Sequence, residues 1–123
     1  MSQHNDLGKA GEALAQQHLI QEGYAILATN WRVGKLEADI IAYKEGLLVF
    51  VEVKTRSSVD HGAPEEFVDQ AKCRAYVKLA NRYVIQNHRE EEVRFDIIAI
   101  QVSPTGYQLN HIPDAYTAVG LYL

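Results

Sequence analysis

The longest apolar run in the chain, Leu47-Leu48-Val49-Phe50-Val51, starts directly after Glu45-Gly46 and stops at Glu52. Five residues make a strand and fall far short of the ~20 needed to cross a bilayer. A second β-like run, Leu36 to Tyr43, lies on the other side of Lys44-Glu45-Gly46. Glycine at the second turn position supplies a positive φ, so the two runs read as a hairpin with a two-residue loop. That loop sets the register: Tyr43 faces Leu48, Asp39 faces Glu52 and Glu37 faces Lys54. Strand side chains alternate, so Glu37, Asp39, Glu52 and Lys54 share one face with Ile41, Leu48 and Phe50, while Leu47, Val49, Val51 and Val53 form an apolar opposite face. Such a strand is central in a sheet, and the ionisable groups on it are an exception to a buried pattern.

The remaining elements gather around this hairpin. At 123 residues, 47% hydrophobic and 23% charged, the chain is expected to form a single domain over 1–123. Asn5 or Asp6 is placed to cap a first helix in which Leu7, Ala10, Ala13, Leu14 and then Leu19 or Ile20 recur at helical spacing, until Gly23 stops it. A β-like stretch, Tyr24 to Arg32, follows and breaks at Gly34-Lys35. Beyond the hairpin, Thr55 to Ala63 reads as a loop. It leads to a second helix over Glu65 to Gln86, begun by Pro64 and two acids. Val93 to Val102 is a strand, Ser103-Pro104-Thr105-Gly106 a turn, and Tyr107 to Ile112 a last strand. The order α-β-β-β-α-β-β predicts an α/β fold with a mixed central sheet flanked by helices.

Charge and cysteine narrow the setting. Sixteen acids against twelve bases give a net charge of −4, the wrong sign for a protein that coats nucleic acid. Glu90-Glu91-Glu92 supplies much of that excess and reads as a solvated loop. The lone Cys73 excludes an internal disulfide and a cysteine-based zinc site, and the first six residues lack the charged-then-apolar pattern of a secretory signal. A cytoplasmic protein without a membrane partner is expected.

The hairpin carries the chemistry. Directly opposed strand side chains have Cβ atoms about 4.5–5.5 Å apart, and like charges so placed repel. Asp39 and Glu52 in a partly buried site are relieved by sharing a proton or by binding a hard divalent cation. The cation is favoured. Carboxylates plus water suit Mg²⁺ or Mn²⁺, whereas zinc would recruit His or Cys, which are absent nearby in sequence. Lys54, two residues beyond Glu52, points the same way and can orient a water or steady a phosphate oxygen. An E-x-K tripeptide alone is common on surface hairpins; the central strand and the opposed Asp39 distinguish this one.

These residues resemble a known pattern. Asp39 followed by Glu52-Val53-Lys54 is similar to the PD-(D/E)xK nuclease motif, with Ala38 in place of its proline. More widely, Gly8-Lys9-Ala10-Gly11-Glu12, Asn30-Trp31-Arg32, Glu37-Ala38-Asp39-Ile40-Ile41, Phe50-Val51-Glu52-Val53-Lys54-Thr55-Arg56, Lys72 and Arg94-Phe95-Asp96 resemble the bacterial YraN-like family. That family in turn resembles archaeal Holliday-junction resolvases. The likeness extends from Gly8 to about Tyr116, with Leu36 standing where glycine would be expected. It implies a restriction-endonuclease-like fold and a metal-dependent endonuclease acting on DNA, at branched or recombination intermediates. Asp39 and Glu52 would be metal ligands with the Val53 carbonyl as a third, Lys54 the catalytic lysine, and Glu12 the helix-borne acid that approaches the metal or its water. Without the likeness, Glu12 reads as an ordinary exposed helical acid. Glu37 would support the site, or simply pair with Lys54.

Substrate contacts are less sharply marked. Arg32, Lys35 and Arg56 flank the active end of the hairpin as phosphate contacts, and the likeness adds Lys72. Arg74, Lys78 and Arg82 form a basic stripe on the second helix that reads first as its solvent face. Trp31 reads as a buried aromatic before a base-stacking one, and Tyr76 and Tyr83 as core or dimer surface. The five histidines, at 4, 18, 61, 88 and 111, have no metal-binding spacing, and His61, close after Lys54, is the one of interest. Asp96 opens an apolar strand and is placed to bond backbone or a basic residue. A two-fold dimer with two sites suits a branched substrate. The alternative is a non-catalytic module, for nucleic acid or protein, on a nuclease fold.

Overall fold

The computed structural model describes residues 3–57 and 69–117. The elements follow the expected order: α1 Gln3–Gln21, β1 Ala25–Val33, β2 Leu36–Lys44, β3 Leu47–Ser57, α2 Gln70–Gln86, β4 Glu92–Ser103 and β5 Gly106–Tyr116. The strands form one five-stranded sheet in the order β1-β2-β3-β4-β5, antiparallel except for the parallel pair β3 and β4. That parallel step needs a crossover, which α2 provides. The predicted mixed sheet flanked by helices is the observed architecture.

A helix lies on each face. Ala15 and Leu19 of α1 pack with Ile40, Ala42, Val49, Val51, Ile98 and Ile100, and Val53 packs against that cluster. Tyr76, Leu79, Ala80 and Tyr83 of α2 pack with Ala38, Ile41, Leu48, Phe50 and Phe95. The alternation read along β3 therefore holds: odd positions face α1 and even positions face α2.

The hairpin turn is as expected, with Glu45 and Gly46 both at positive φ (51° and 81°). This two-residue turn matches the twist of the flanking strands and fixes Tyr43 opposite Leu48. At the end of α1, Gly23 (φ 93°) lets the chain reverse, and the amides of Gly23 and Tyr24 return to the carbonyls of Ile20 and Leu19.

Several boundaries differ from expectation. α1 begins at Gln3, so neither Asn5 nor Asp6 caps it. β3 continues through Thr55 and Arg56 to Ser57, because β4 pairs with it as far as Val102 opposite Ser57. α2 begins at Gln70. Asp69 is its N-cap, extended (φ −91°, ψ 110°), with its carboxylate accepting the amides of Ala71 and Lys72. Pro64, Glu65, Glu66, Val68, Ser58 and His61 lie outside the described residues. β5 runs past Pro113 to Tyr116; as an edge strand it tolerates proline, and the register shifts there opposite Phe95 and Ile97. Of the acidic triplet, Glu92 opens β4, and Glu91 accepts both Nε and Nη2 of Arg89.

Candidate functional site

The β2–β3 ladder is regular from Lys44 opposite Leu47 up to Ile40 opposite Val51, and there it ends. The expected pairs Asp39 with Glu52 and Glu37 with Lys54 do not form rungs of it. The cause lies one strand away. On β1, Ala28 and Trp31 both face α2, and on β2 so do Ala38 and Ile41. Same-side residues three apart mean that both strands break alternation at the same rung, where Asn30 (φ 51°) lies between the paired positions Thr29–Ile40 and Trp31–Ala38. Asp39, opposite Asn30, leaves the alternation.

Two side chains bridge the resulting fork. The Val53 amide donates to Asp39 Oδ2 at 2.8 Å. The Tyr76 hydroxyl, from α2, accepts the Asp39 amide at 3.1 Å and donates to the Val51 carbonyl at 3.4 Å. Burial pushes the Tyr76 phenol well above its ordinary range, so it remains a neutral donor. Tyr76, expected as core or dimer surface, is core, and its hydroxyl also bridges the fork. A buried tyrosine needs a partner for its hydroxyl, and that was the available signal.

Three acids meet at this fork. Burial raises the Asp39 carboxyl to about 6; the Val53 amide and Lys72 work against the rise, and Glu12 and Glu52 add to it. Glu52 is 5% exposed, on the α2 side of β3, where Lys72 Nζ comes within 3.3 Å of its Oε1. Glu12 arrives from the opposite face on α1. Its approach depends on Gly11, where a Cβ would lie 1.9 Å from Thr55 Oγ1 on β3; only glycine lets the helix sit this close. Lys54 follows Glu52 on the same face, and its charge reaches the buried Cys73 thiol, which burial and Glu52 push upward.

The flanking bases are arranged differently from expectation. Glu37 lies opposite Arg32 on β1 and pairs with its Nε at 2.9 Å, at an exposed edge. The expected Glu37–Lys54 rung is thereby replaced, because β2 has already parted from β3. Arg56 is exposed near the end of β3, and Arg74, Lys78 and Arg82 are exposed along α2. Trp31 packs edge-on against Tyr83, ring centroids 5.1 Å apart, as a partly buried aromatic.

The donor set is hard oxygen: two carboxylates at the fork, a third from α1 and the neighbouring carbonyl of Val53. Among the described residues no three His, Cys, Asp or Glu side chains form a ready-made metal cage. Asp39 and Glu52 would hold a cation with a carbonyl and waters, a partial shell that Mg²⁺ accepts and zinc ordinarily does not.

Comparison with known proteins identifies the family. Residues 11–100, which include Glu12, Asp39, Glu52 and Lys54, match the family described as "Uncharacterised protein family UPF0102". The chain belongs to the UPF0102 family. A UPF0102 protein of Flavobacterium psychrophilum is 52% identical over 116 residues, covering 94% of this chain and 98% of the relative. One from Flavobacterium johnsoniae is 46% identical over 122 residues, covering 94% and 98%. One from Bacteroides thetaiotaomicron is 44% identical over 116 residues, covering 94% and 96%. The YraN-like likeness read from the motifs is this UPF0102 membership. Among the described residues of the UPF0102 chain, no helix is long and apolar enough to cross a membrane.

Proposed function

We propose that this protein is a divalent-metal-dependent endonuclease that hydrolyses DNA phosphodiester bonds, with branched DNA as the preferred substrate. The observation that carries the reading is the fork itself: Asp39, held by the Val53 amide, lies beside buried Glu52 and within electrostatic reach of Glu12. A fold gains no stability from gathering acids in a partly buried place. A cation offsets that cost.

Asp39 and Glu52, with the Val53 carbonyl, would hold Mg²⁺ or Mn²⁺, which supplies a water of lowered pKa and polarises the phosphate. Lys54, beside Glu52 on the same face, orients the attacking water or neutralises a phosphate oxygen. Glu12 accepts a proton from that water across the fork. Lys72, on the exposed side of Glu52, and Arg56, near the end of β3, contact the flanking phosphates, with Arg32 farther out. The net charge of −4 favours a salt-sensitive, structure-directed association, and a second copy would supply the second cut on a two-fold junction.

The alternative, a nucleic-acid-binding module without catalysis, draws on one observation: Lys72 already neutralises Glu52. Incubation with Mn²⁺ and branched, flapped and linear DNA decides between them. Cleavage of a branched substrate that Glu52→Gln and Lys54→Ala abolish, with folding intact, supports the enzyme. DNA retention without cleavage across metals and substrates supports the module.

A further inference from the structure

The second helix carries charge of the opposite sign to the protein. α2 holds Lys72, Arg74, Lys78 and Arg82 and no acid, in a chain with sixteen acids against twelve bases. Lys72 pairs with Glu52. Farther along the helix, Lys78 and Arg82 form one wall of a cleft of about 440 Å³, and the β1–β2 turn with Lys35 forms the other. That size lies within the ~300–1,000 Å³ of ligand-binding clefts. Among the described residues no acid lines it; Asn81 adds a side-chain amide, and Val33 and Leu36 supply its apolar part.

Both walls are fixed by the fold. Val33 pairs with Leu36, so Gly34-Lys35 is a two-residue hairpin turn, and Gly34 at φ 59° takes the first position, where this turn favours glycine. Val33 and Leu36 pack against the cluster that contains Leu79 and Tyr83 of α2. Lys35 is thereby held beside a helix that lies far from it in sequence. Elsewhere bases meet acids: Arg32 with Glu37, Arg89 with Glu91 and Arg94 with Asp96. Among the described residues, Lys35, Lys78 and Arg82 enter no ion pair. A cleft lined by charge of one sign focuses the field and concentrates the opposite ion.

We propose that this cleft binds the phosphodiester backbone of a duplex DNA arm, with Lys35, Lys78 and Arg82 contacting successive phosphates, as an anchor separate from the acid fork. The layout favours a polyanion over a single small phosphate. Its cations are exposed side chains on two elements along an open cleft, without the helix N-terminus that cradles one phosphate group. Lys78 and Arg82 follow Lys72 by six and ten residues, about 9 and 15 Å along the axis. A strand that tracks α2 from the fork, with one phosphate per ~3.4 Å of duplex axis, passes about three to four phosphates on the way to the cleft. The position on the substrate rests on the fork being the reaction centre; the binding itself does not. A basic helix on an acidic protein also turns the molecule so that α2 meets the DNA.

The test is fluorescence anisotropy of the full chain with branched DNA whose arms span about two helical turns, in EDTA, between about 50 and 200 mM salt. The wild type should bind with a steep salt dependence. Lys35→Ala/Lys78→Ala/Arg82→Ala should bind about tenfold or more weakly and lower the slope of log K against log salt by about 2–3, since each phosphate contact contributes ~0.9. Lys35→Glu/Arg82→Glu, which reverses charge on both walls, should weaken binding as well. These positions are exposed, so the thermal midpoint should hold in both. Lys44→Ala removes one charge at the other end of β2, where Nζ bonds the Glu22 carbonyl, and should leave the slope unchanged. Inorganic phosphate at constant ionic strength should not displace the DNA. The proposal is overturned if the wild type does not retain DNA, if both cleft variants keep its affinity and slope, if Lys44→Ala weakens binding equally, or if inorganic phosphate competes. Cleavage plays no part in this readout, so a protein that binds through the cleft and never cuts defeats the enzyme reading alone.

Discussion

The carboxylate of Asp39 accepts the Val53 amide at 2.8 Å, Asp39 lying one residue and Val53 two residues beyond the last rung of the β2–β3 ladder. A side chain thus stands where strand backbone would otherwise continue the sheet. The same contact leaves the carboxyl in a place where solvation is poor and where the charges of Glu12 and Glu52 act on it. Its consequences are measurable with and without metal.

In metal-free protein, burial, Glu12 and Glu52 raise Asp39 from 3.8 to about 6, so the fold favours the protonated acid. That contribution is complete below pH ~4 and is lost as pH rises through about 6. Urea midpoints in EDTA should therefore carry a component that declines over this window. Asp39→Asn keeps an oxygen for the Val53 amide and never ionises, so it should flatten that component and exceed the wild type at pH 8 by ~1–2 kcal/mol, allowing for partial exposure. An Asn variant less stable than wild type at pH 8 would contradict this.

Two tyrosines on the α2 side should respond oppositely to loss of their hydroxyls. Tyr76→Phe strands the Asp39 amide and the Val51 carbonyl and is expected to cost ~1–3 kcal/mol in chemical denaturation. Tyr116 has a buried hydroxyl with no hydrogen-bond partner among the described residues, on a ring stacked against Phe95. Tyr116→Phe should be neutral or stabilising, since it removes a desolvated hydroxyl that finds no partner among the described residues. Equal losses in both variants would refute the assignment.

Gly11→Ala forces a methyl into Thr55 and should destabilise by ~1–3 kcal/mol or more while displacing Glu12. Adding Thr55→Gly, which vacates the space, should recover part of the loss. A single substitution without effect on thermal unfolding would show that α1 sits farther from β3.

Asp96→Asn leaves the partly exposed Arg94 without its carboxylate, and a loss of ~1–3 kcal/mol at pH 7 is expected. The Asp96 carboxyl is held below its ordinary value, so the wild type keeps this contribution above pH ~4 and loses it on further acidification. The gap between the two proteins should accordingly narrow in acid.

Much of this was legible in the chain. Glu45-Gly46 set the hairpin register, since two positive-φ residues admit one turn geometry, and the apolar alternation of Leu47 to Val53 identified the α1 face. The break at Asn30 and Asp39 was not legible: two strands lose alternation together, and neither run shows it alone. For the same reason Glu37 was expected opposite Lys54 and instead pairs with Arg32. Pro64 and its acids looked like a helix start, whereas α2 takes its cap from Asp69. His18 and His111, 93 residues apart, meet only because α1 and β5 reach each other through side chains on one face of the sheet. No local spacing records that.

The most direct measurement is the anomalous diffraction of a crystal soaked in Mn²⁺. The account predicts a manganese peak coordinated by Asp39 and Glu52, with the Val53 carbonyl in its shell and Lys72 drawn away from Glu52. Saturating Mn²⁺ with no peak at the fork, or a peak that ignores both carboxylates, would contradict it.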